Sequence, residues 1–201
     1  MIKRNLLVMG LAVLLSACGF QLRGTGTNEL AIKELDVSAR NAYGETVTQL
    51  RQVLQSSGVN VYTGAPYKLV LTDEQEGQRI LSYAGAGRTG EYQVTTVLSY
   101  DIRGENNLSL MSDKLEVQKV FIHDGNNLVG SDQEANTAKT EIRRELVQRM
   151  MLRLQQITPT QLDQLQQTAN ARAKAEADAL EAAQKAEAET PRQSPIEVPQ
   201  Q

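Results

Sequence analysis

The sequence predicts an α+β fold, with two helices packed on one face of a four-stranded, mostly antiparallel sheet. Three observations carry this expectation. Residues Glu91 to Arg103 alternate apolar and polar side chains, two separate stretches repeat apolar residues at helical spacing, and the elements read strand, helix, three strands, helix. An amphipathic sheet and amphipathic helices must bury their apolar faces against one another, and a two-layer sandwich is the economical way to do it.

Each element has its own signal. The stretch Ala31-Ile32-Lys33-Glu34-Leu35-Asp36-Val37 reads as a first strand, with Leu35 and Val37 alternating against charges. Tyr43, Val47, Leu50 and Leu54 then recur at steps of four, three and four, the apolar stripe of a helix, and Gly58 stands where a left-handed C-terminal cap belongs. Tyr67, Leu69 and Leu71 mark the second strand. In the third, Tyr92, Val94, Thr96, Leu98, Tyr100 and Ile102 share one face. Gln93, Thr95, Ser99, Asp101 and Arg103 share the other, which reads as the wet side. Gly104-Glu105-Asn106-Asn107 is a hairpin turn. The fourth strand runs from Leu108 to Ile122, and its apolar phase switches after Leu110, which suggests a bulge near Asp113. Ser131 and Glu134 have the spacing of a capping box opening a second helix, whose stripe is Ile142, Leu146, Met150 and Leu154 and whose stop is Thr158-Pro159.

The ends of the chain have a different character. Lys3 and Arg4 precede an apolar run, Leu6 to Leu15, then Ser16, Ala17 and Cys18. A basic start, a short apolar stretch and small residues at the cut describe a secretory leader, residues 1–17, and the run is too short to span a bilayer. Cys18 is the one cysteine, so no internal disulfide framework is available. Leu15-Ser16-Ala17-Cys18 resembles the lipobox of bacterial lipoproteins, in which the cysteine becomes the first mature residue and carries the acyl chains. Two or more acyl chains hold a protein stably on a bilayer, whereas one does not. Gly19 rather than aspartate after the cysteine implies, by resemblance to lipoprotein sorting, the outer membrane. Residues 18–30 then serve as anchor and linker, and 31–158 as the domain. Beyond Pro159 the residues are mainly Ala, Glu, Gln and Lys with no apolar stripe, and prolines follow at 191, 195 and 199. Residues 159–201 are expected to be a low-complexity, mostly disordered tail.

Charge and composition exclude several functions. Residues 18–158 carry 15 basic and 17 acidic side chains, and residues 159–201 carry four and seven, so there is no basic excess for a nucleic acid. Gly85-Ala86-Gly87-Arg88-Thr89-Gly90 matches a dinucleotide-binding fingerprint in letters. That site needs a following helix, and here the best strand of the chain follows, so a hairpin loop is expected instead and no cofactor. His123 is the only histidine, too few for a metal cluster or for a triad with its own nucleophile motif, so neither a metal site nor an enzyme is expected.

Cys18-Gly19-Phe20-Gln21-Leu22-Arg23 at the mature start, Glu91-Tyr92-Gln93 opening the long strand after a loop, and the element order through about residue 158 together resemble the LptE family of lipopolysaccharide-assembly lipoproteins. The resemblance implies an outer-membrane lipoprotein on the periplasmic side that plugs the LptD β-barrel, supports its assembly and binds lipopolysaccharide. A near-neutral polar domain also suits the water-filled interior of a large barrel. In relatives, basic residues of two loops contact lipopolysaccharide, and the corresponding segments here precede Glu91 and the second helix. Gly85 and Gly130 stand at those two positions, leaving Arg88 and Lys139 as the nearest basic residues. A competing expectation is a lipid carrier holding one acyl chain in an internal cavity, which needs several hundred Å³ of space.

Overall fold

The computed structural model describes residues 30–84 and 89–189. In chain order it contains β1 (Glu34–Ala39), α1 (Glu45–Ser56), β2 (Asn60–Val61), β3 (Lys68–Ala84), β4 (Thr89–Arg103) and β5 (Ser109–Asp124). Helices α2 (Leu128–Gln155) and α3 (Pro159–Glu189) follow. The sheet is mixed and five-stranded, ordered β2-β1-β3-β4-β5. β1 runs parallel to both β2 and β3, while β3, β4 and β5 form an antiparallel meander. The class is α+β as expected, but there are five strands rather than four and three helices rather than two. β2 escapes sequence reading because two residues cannot display an alternation. α1 lies between β1 and β2, the crossover that a parallel pair requires.

One face of the sheet, the inner face, is covered by α1 and α2. β4 buries Val94, Thr96, Leu98, Tyr100 and Ile102, the alternation read from the sequence. Facing them, α1 buries Val47, Leu50 and Leu54, and α2 buries Ile142, Leu146, Met150 and Leu154. Each fully buried aliphatic side chain of this kind is worth about 1.5–3 kcal/mol. Tyr43 is the exception to the first stripe: it precedes α1 and is 95% exposed. α1 ends as expected at Gly58, whose φ of +82° lets Gly58 N bond Gln55 O and Val59 N bond Leu54 O, the paired closure of a left-handed cap.

Two local expectations are corrected. The bulge of β5 lies at Leu110, not near Asp113, because Arg103 pairs with Ser109 while Ile102 pairs with Met111. The helix-opening residue of α2 is Asn127, whose Oδ1 accepts from Gly130 N at 3.1 Å, and not Ser131. Ser131 and Glu134 turn to the strand instead. Ser131 Oγ accepts from Asp124 N at 2.7 Å and donates to Asp124 O at 3.1 Å, and Glu134 Oε2 accepts from Ile122 N at 3.3 Å. With Arg149 Nη1 donating to Glu116 O at 2.6 Å, α2 covers much of the unpaired edge of β5, which would otherwise invite pairing with another chain.

The segment after Pro159 differs most from expectation. Residues 159–189 are helical, and the first four turns dock. Thr158 Oγ1 accepts from Gln161 N, and Gln161 Oε1 accepts from Thr158 N, so Thr158-Pro159-Thr160-Gln161 is the working capping box. Ile157 and Leu162, the residues flanking that box, are buried. Leu165 and Ala169 pack against the same core, Tyr67 Oη donates to Asp163 Oδ1 at 3.2 Å, and Glu105 N donates to Gln166 Oε1 at 2.9 Å. Three apolar residues at spacings of three and four are enough to seat a helix when a core is already present.

Candidate functional site

The sheet has two unlike ends. At the proximal end, where β3 and β5 begin and β4 finishes, α3 closes the layer. There Arg153 pairs with Asp113 beside the buried hydroxyl of Tyr100. The guanidinium of Arg153 holds the Asp113 carboxyl below the usual carboxylate range, and burial pushes the Tyr100 phenol up. The Tyr100 hydroxyl makes no well-formed hydrogen bond, although the pair lies close enough to influence its ionisation.

The distal end is open. β3 pairs with β4 as far as Ala84 and Thr89, so a hairpin joins them, and β4 carries β5 alongside through Gly90–His123 and Thr89–Asp124. Gly90 is required by this close approach, since a Cβ there would stand 2.5 Å from Ser82 O. The start of α2 meets the same place. Asp124 Oδ1 accepts from Asn126 N at 2.9 Å and from Thr89 Oγ1 at 3.4 Å, which fixes the turn between β5 and α2. The ring of Tyr92 packs in tilted contact with His123 and Phe121, at centroid distances of 4.8 and 5.8 Å. Tyr83, Thr89, Tyr92, His123 and Asn126 line a cavity of about 300 Å³.

Apolar side chains are exposed on both faces of this end of the sheet. Ile80, Leu81 and Tyr83 are exposed at the end of β3, Val120 and Ile122 on β5, and Leu128 and Val129 in the first turn of α2. They are seven of the eleven large hydrophobic side chains exposed among the described residues, so the distal end is where this molecule shows its apolar surface. Exposed apolar surface concentrated in one region marks a place of interaction. On the outer sheet face beside it, Arg79 Nε donates to Gln93 Oε1 at 2.8 Å and Gln93 Nε2 donates to Gln118, a polar ladder over three strands. Gln93 is therefore buried, contrary to its assignment to the wet face. The arrangement suits an amphipathic ligand, with apolar rims for its chains and aromatic and amide groups for its polar part.

The residues singled out in the sequence fare unequally. Cys18 and Arg88 lie outside the described residues, and Arg88 falls between the ends of β3 and β4. Lys139 is not at the distal end. It lies nine residues along α2 from Gly130, about 13 Å at the helical rise, and its Nζ is 2.5 Å from Glu76 Oε1 at mid-sheet. The strand residues that flank the two segments, Thr89-Gly90 and His123-Asp124, are paired with each other. The apolar residues of the distal end were missed, although Ile80-Leu81, Val120-Phe121-Ile122 and Leu128-Val129 break the alternation where they occur. Among the described residues, no three His, Cys, Asp or Glu side chains converge as a metal site would require. No helix among them is long and apolar enough to cross a membrane.

The chain is similar to known proteins in sequence and in fold. Residues 32–154 match the family model described as LptE, lipopolysaccharide-assembly. The chain is similar to the LPS-assembly lipoprotein LptE of Pectobacterium atrosepticum, with 28% identity over 162 residues, covering 77% of this chain and 86% of that protein. It is also similar to LptE of Photorhabdus laumondii, with 26% identity over 152 residues, covering 74% and 83%. In fold it resembles rare lipoprotein B of Shewanella oneidensis, with a TM-score of 0.53 at 19% identity over 60% of this chain and 91% of that one. The lipoprotein B structure from Nitrosomonas europaea gives a TM-score of 0.56 at 19% identity over 70% and 90%.

Proposed function

This chain belongs to the LptE family of lipopolysaccharide-assembly proteins, and from that premise we propose that it binds lipopolysaccharide through its distal end while anchored by Cys18 in the outer membrane. The observation that carries the reading is the concentration of exposed apolar side chains at the end of the sheet that also holds the Tyr83–Tyr92–His123 cavity. Lipopolysaccharide is an amphiphile, and a site for it needs both apolar contact area and polar groups that fix the headgroup. Arg88, which the sequence places between Ala84 and Thr89, supplies a guanidinium able to hold a phosphate bidentately. Lys139 contributes to the ligand only if it leaves Glu76.

The partner is an LptD-like β-barrel. The outer face of the sheet carries the Arg79–Gln93–Gln118 ladder with Val120 and Ile122 at its distal end, a surface of mixed polarity that suits docking into the lumen of a large barrel. The protein acts by binding, not by catalysis. The test is extraction of the native complex from outer membrane in detergent, identification of the co-purifying chain, and titration with lipopolysaccharide. A co-purified barrel, a triacylated Cys18 by mass spectrometry and a several-fold weaker titration for Val120→Ser with Ile122→Ser are expected. Absence of the barrel overturns the partner, and an unchanged titration overturns the distal site.

A further inference from the structure

At the proximal end, α3 does not close completely against β5 and the end of α2. An open groove of about 480 Å³ remains, with an apolar floor of Met111, Ile157, Leu162 and Leu165 and a polar rim that includes Arg153 and Gln161. Met111 and Leu165 are only partly covered by the protein itself. Apolar floor of this kind gains free energy from any apolar side chain that covers it. We propose that the groove is the docking site of this chain's own N-terminal segment, with Phe20 and Leu22 as the two side chains that enter it.

Chain length selects the occupant. The described chain starts at Leu30, already buried, four residues before β1 begins. The start of β1 lies at the proximal end, since Asp36 pairs with Lys68 and Lys68 with Arg103. From β1 to β5 the sheet is three strand spacings wide, about 14 Å, and α3 runs beneath, held by Tyr67 and Glu105. Phe20 is ten residues from Leu30, a reach of up to about 35 Å. The C-terminal segment falls short of the apolar floor. Glu189 lies 24 residues beyond Leu165, about 36 Å along the helix, and Val198 is nine residues further, at most about 32 Å back. The apolar distal end is also too far for Phe20, because β4 alone spans about 50 Å at the rise of a strand.

The pattern of the segment fits as well. In Cys18-Gly19-Phe20-Gln21-Leu22-Arg23-Gly24-Thr25-Gly26-Thr27, Phe20 and Leu22 are the only large apolar residues and stand two apart. In an extended segment two such side chains point the same way and the polar Gln21 points away. Gly24 and Gly26 then give the freedom to turn back toward Leu30. Docking would draw Cys18, two residues from Phe20, to the proximal end and leave the distal end facing away from the anchor.

The test replaces single residues by the photo-crosslinking amino acid p-benzoylphenylalanine in the full chain in cells, at Phe20 and separately at Gln21. Peptide mapping should find the Phe20 adduct on Met111 or Leu165 of the same chain, with a several-fold lower yield on those residues from Gln21. Adducts from Phe20 that lie on another chain, or that are spread equally with those from Gln21, overturn the proposal. A second measurement guards against a disturbed groove: Phe20→Ser with Leu22→Ser should increase hydrogen exchange at Leu162 and Leu165 several-fold, with no change at Val94. Unaltered exchange there also overturns it.

Discussion

The two ends of the sheet are built from the same three strands and finished in opposite ways. At the proximal end, α3 covers the strand ends with Leu162, Leu165 and Ala169, and side chains satisfy the backbone of the β4–β5 turn. At the distal end, among the described residues, Ile80, Val120 and Ile122 stay exposed. Apolar area removed from water contributes stability, and apolar area left in water contributes affinity for whatever later covers it. Mutations at the two ends should therefore divide between stability and binding.

The largest effect is expected from removing α3. Truncation after Thr158 takes away Leu162, which is 1% exposed, and the bonds to Tyr67 and Glu105, and should cost at least about 3 kcal/mol in urea unfolding, the middle of the range for deleting a buried leucine. Truncation after Ala175 should cost less than about 0.5 kcal/mol, the scale of ordinary surface changes, because the helix beyond Ala173 is exposed. Equal costs for the two would erase the distinction between docked and free parts of α3.

Next comes Gly104→Ala. A Cβ there would collide with Gln166 Oε1 and approach Leu110 Cδ1 to 2.9 Å, so a loss of about 1–3 kcal/mol is expected, as for overpacking generally. The loss should shrink when Gln166→Ala is added. If the double-mutant cycle shows no coupling, α3 does not press on the β4–β5 turn.

A smaller effect belongs to Asp113. Its carboxyl is held below the usual range first by the hydrogen bond from Arg153 and then by the backbone of Lys114. A lowered folded-state pKa means stability that is fully present above the ordinary carboxylate range and is lost as pH falls through it. Thermal unfolding followed from neutral to acid pH should lose part of its slope in Asp113→Asn. An identical slope would remove this pair from the proximal closure.

The smallest stability effect is expected at the distal end. Val120→Ser and Ile122→Ser should each leave unfolding within about 0.5 kcal/mol of the parent, while weakening lipopolysaccharide binding. A stability loss as large as that of the truncation would mean these side chains are core, not surface.

Much of the fold was legible because its signals are local. The alternation of β4 and the stripes of α1 and α2 are periodicities that a linear sequence displays directly, and Gly58 announces a left-handed cap. Reading failed where one residue type serves two geometries. Ser131 and Glu134 have capping-box spacing, yet they bond the backbone of β5; the box that forms is Thr158 with Gln161. Leu162, Leu165 and Ala169 form a stripe too short to separate from low-complexity sequence. The candidate site was legible only as two loop segments, and Lys139, near one of them in sequence, is drawn instead to Glu76.

The sequence by itself determined the α+β class, the inward faces of the strands and helices and the resemblance that led to its family. These follow from side-chain spacing along one element, where each residue's neighbours are its sequence neighbours. Only the tertiary structure decided that β2 extends the sheet, that residues 159–189 form a helix whose first turns dock, and that apolar residues of β3, β5 and α2 gather at one end. Those outcomes depend on which surfaces are already occupied when an element arrives, and that is set by strand order and register, which no single segment encodes.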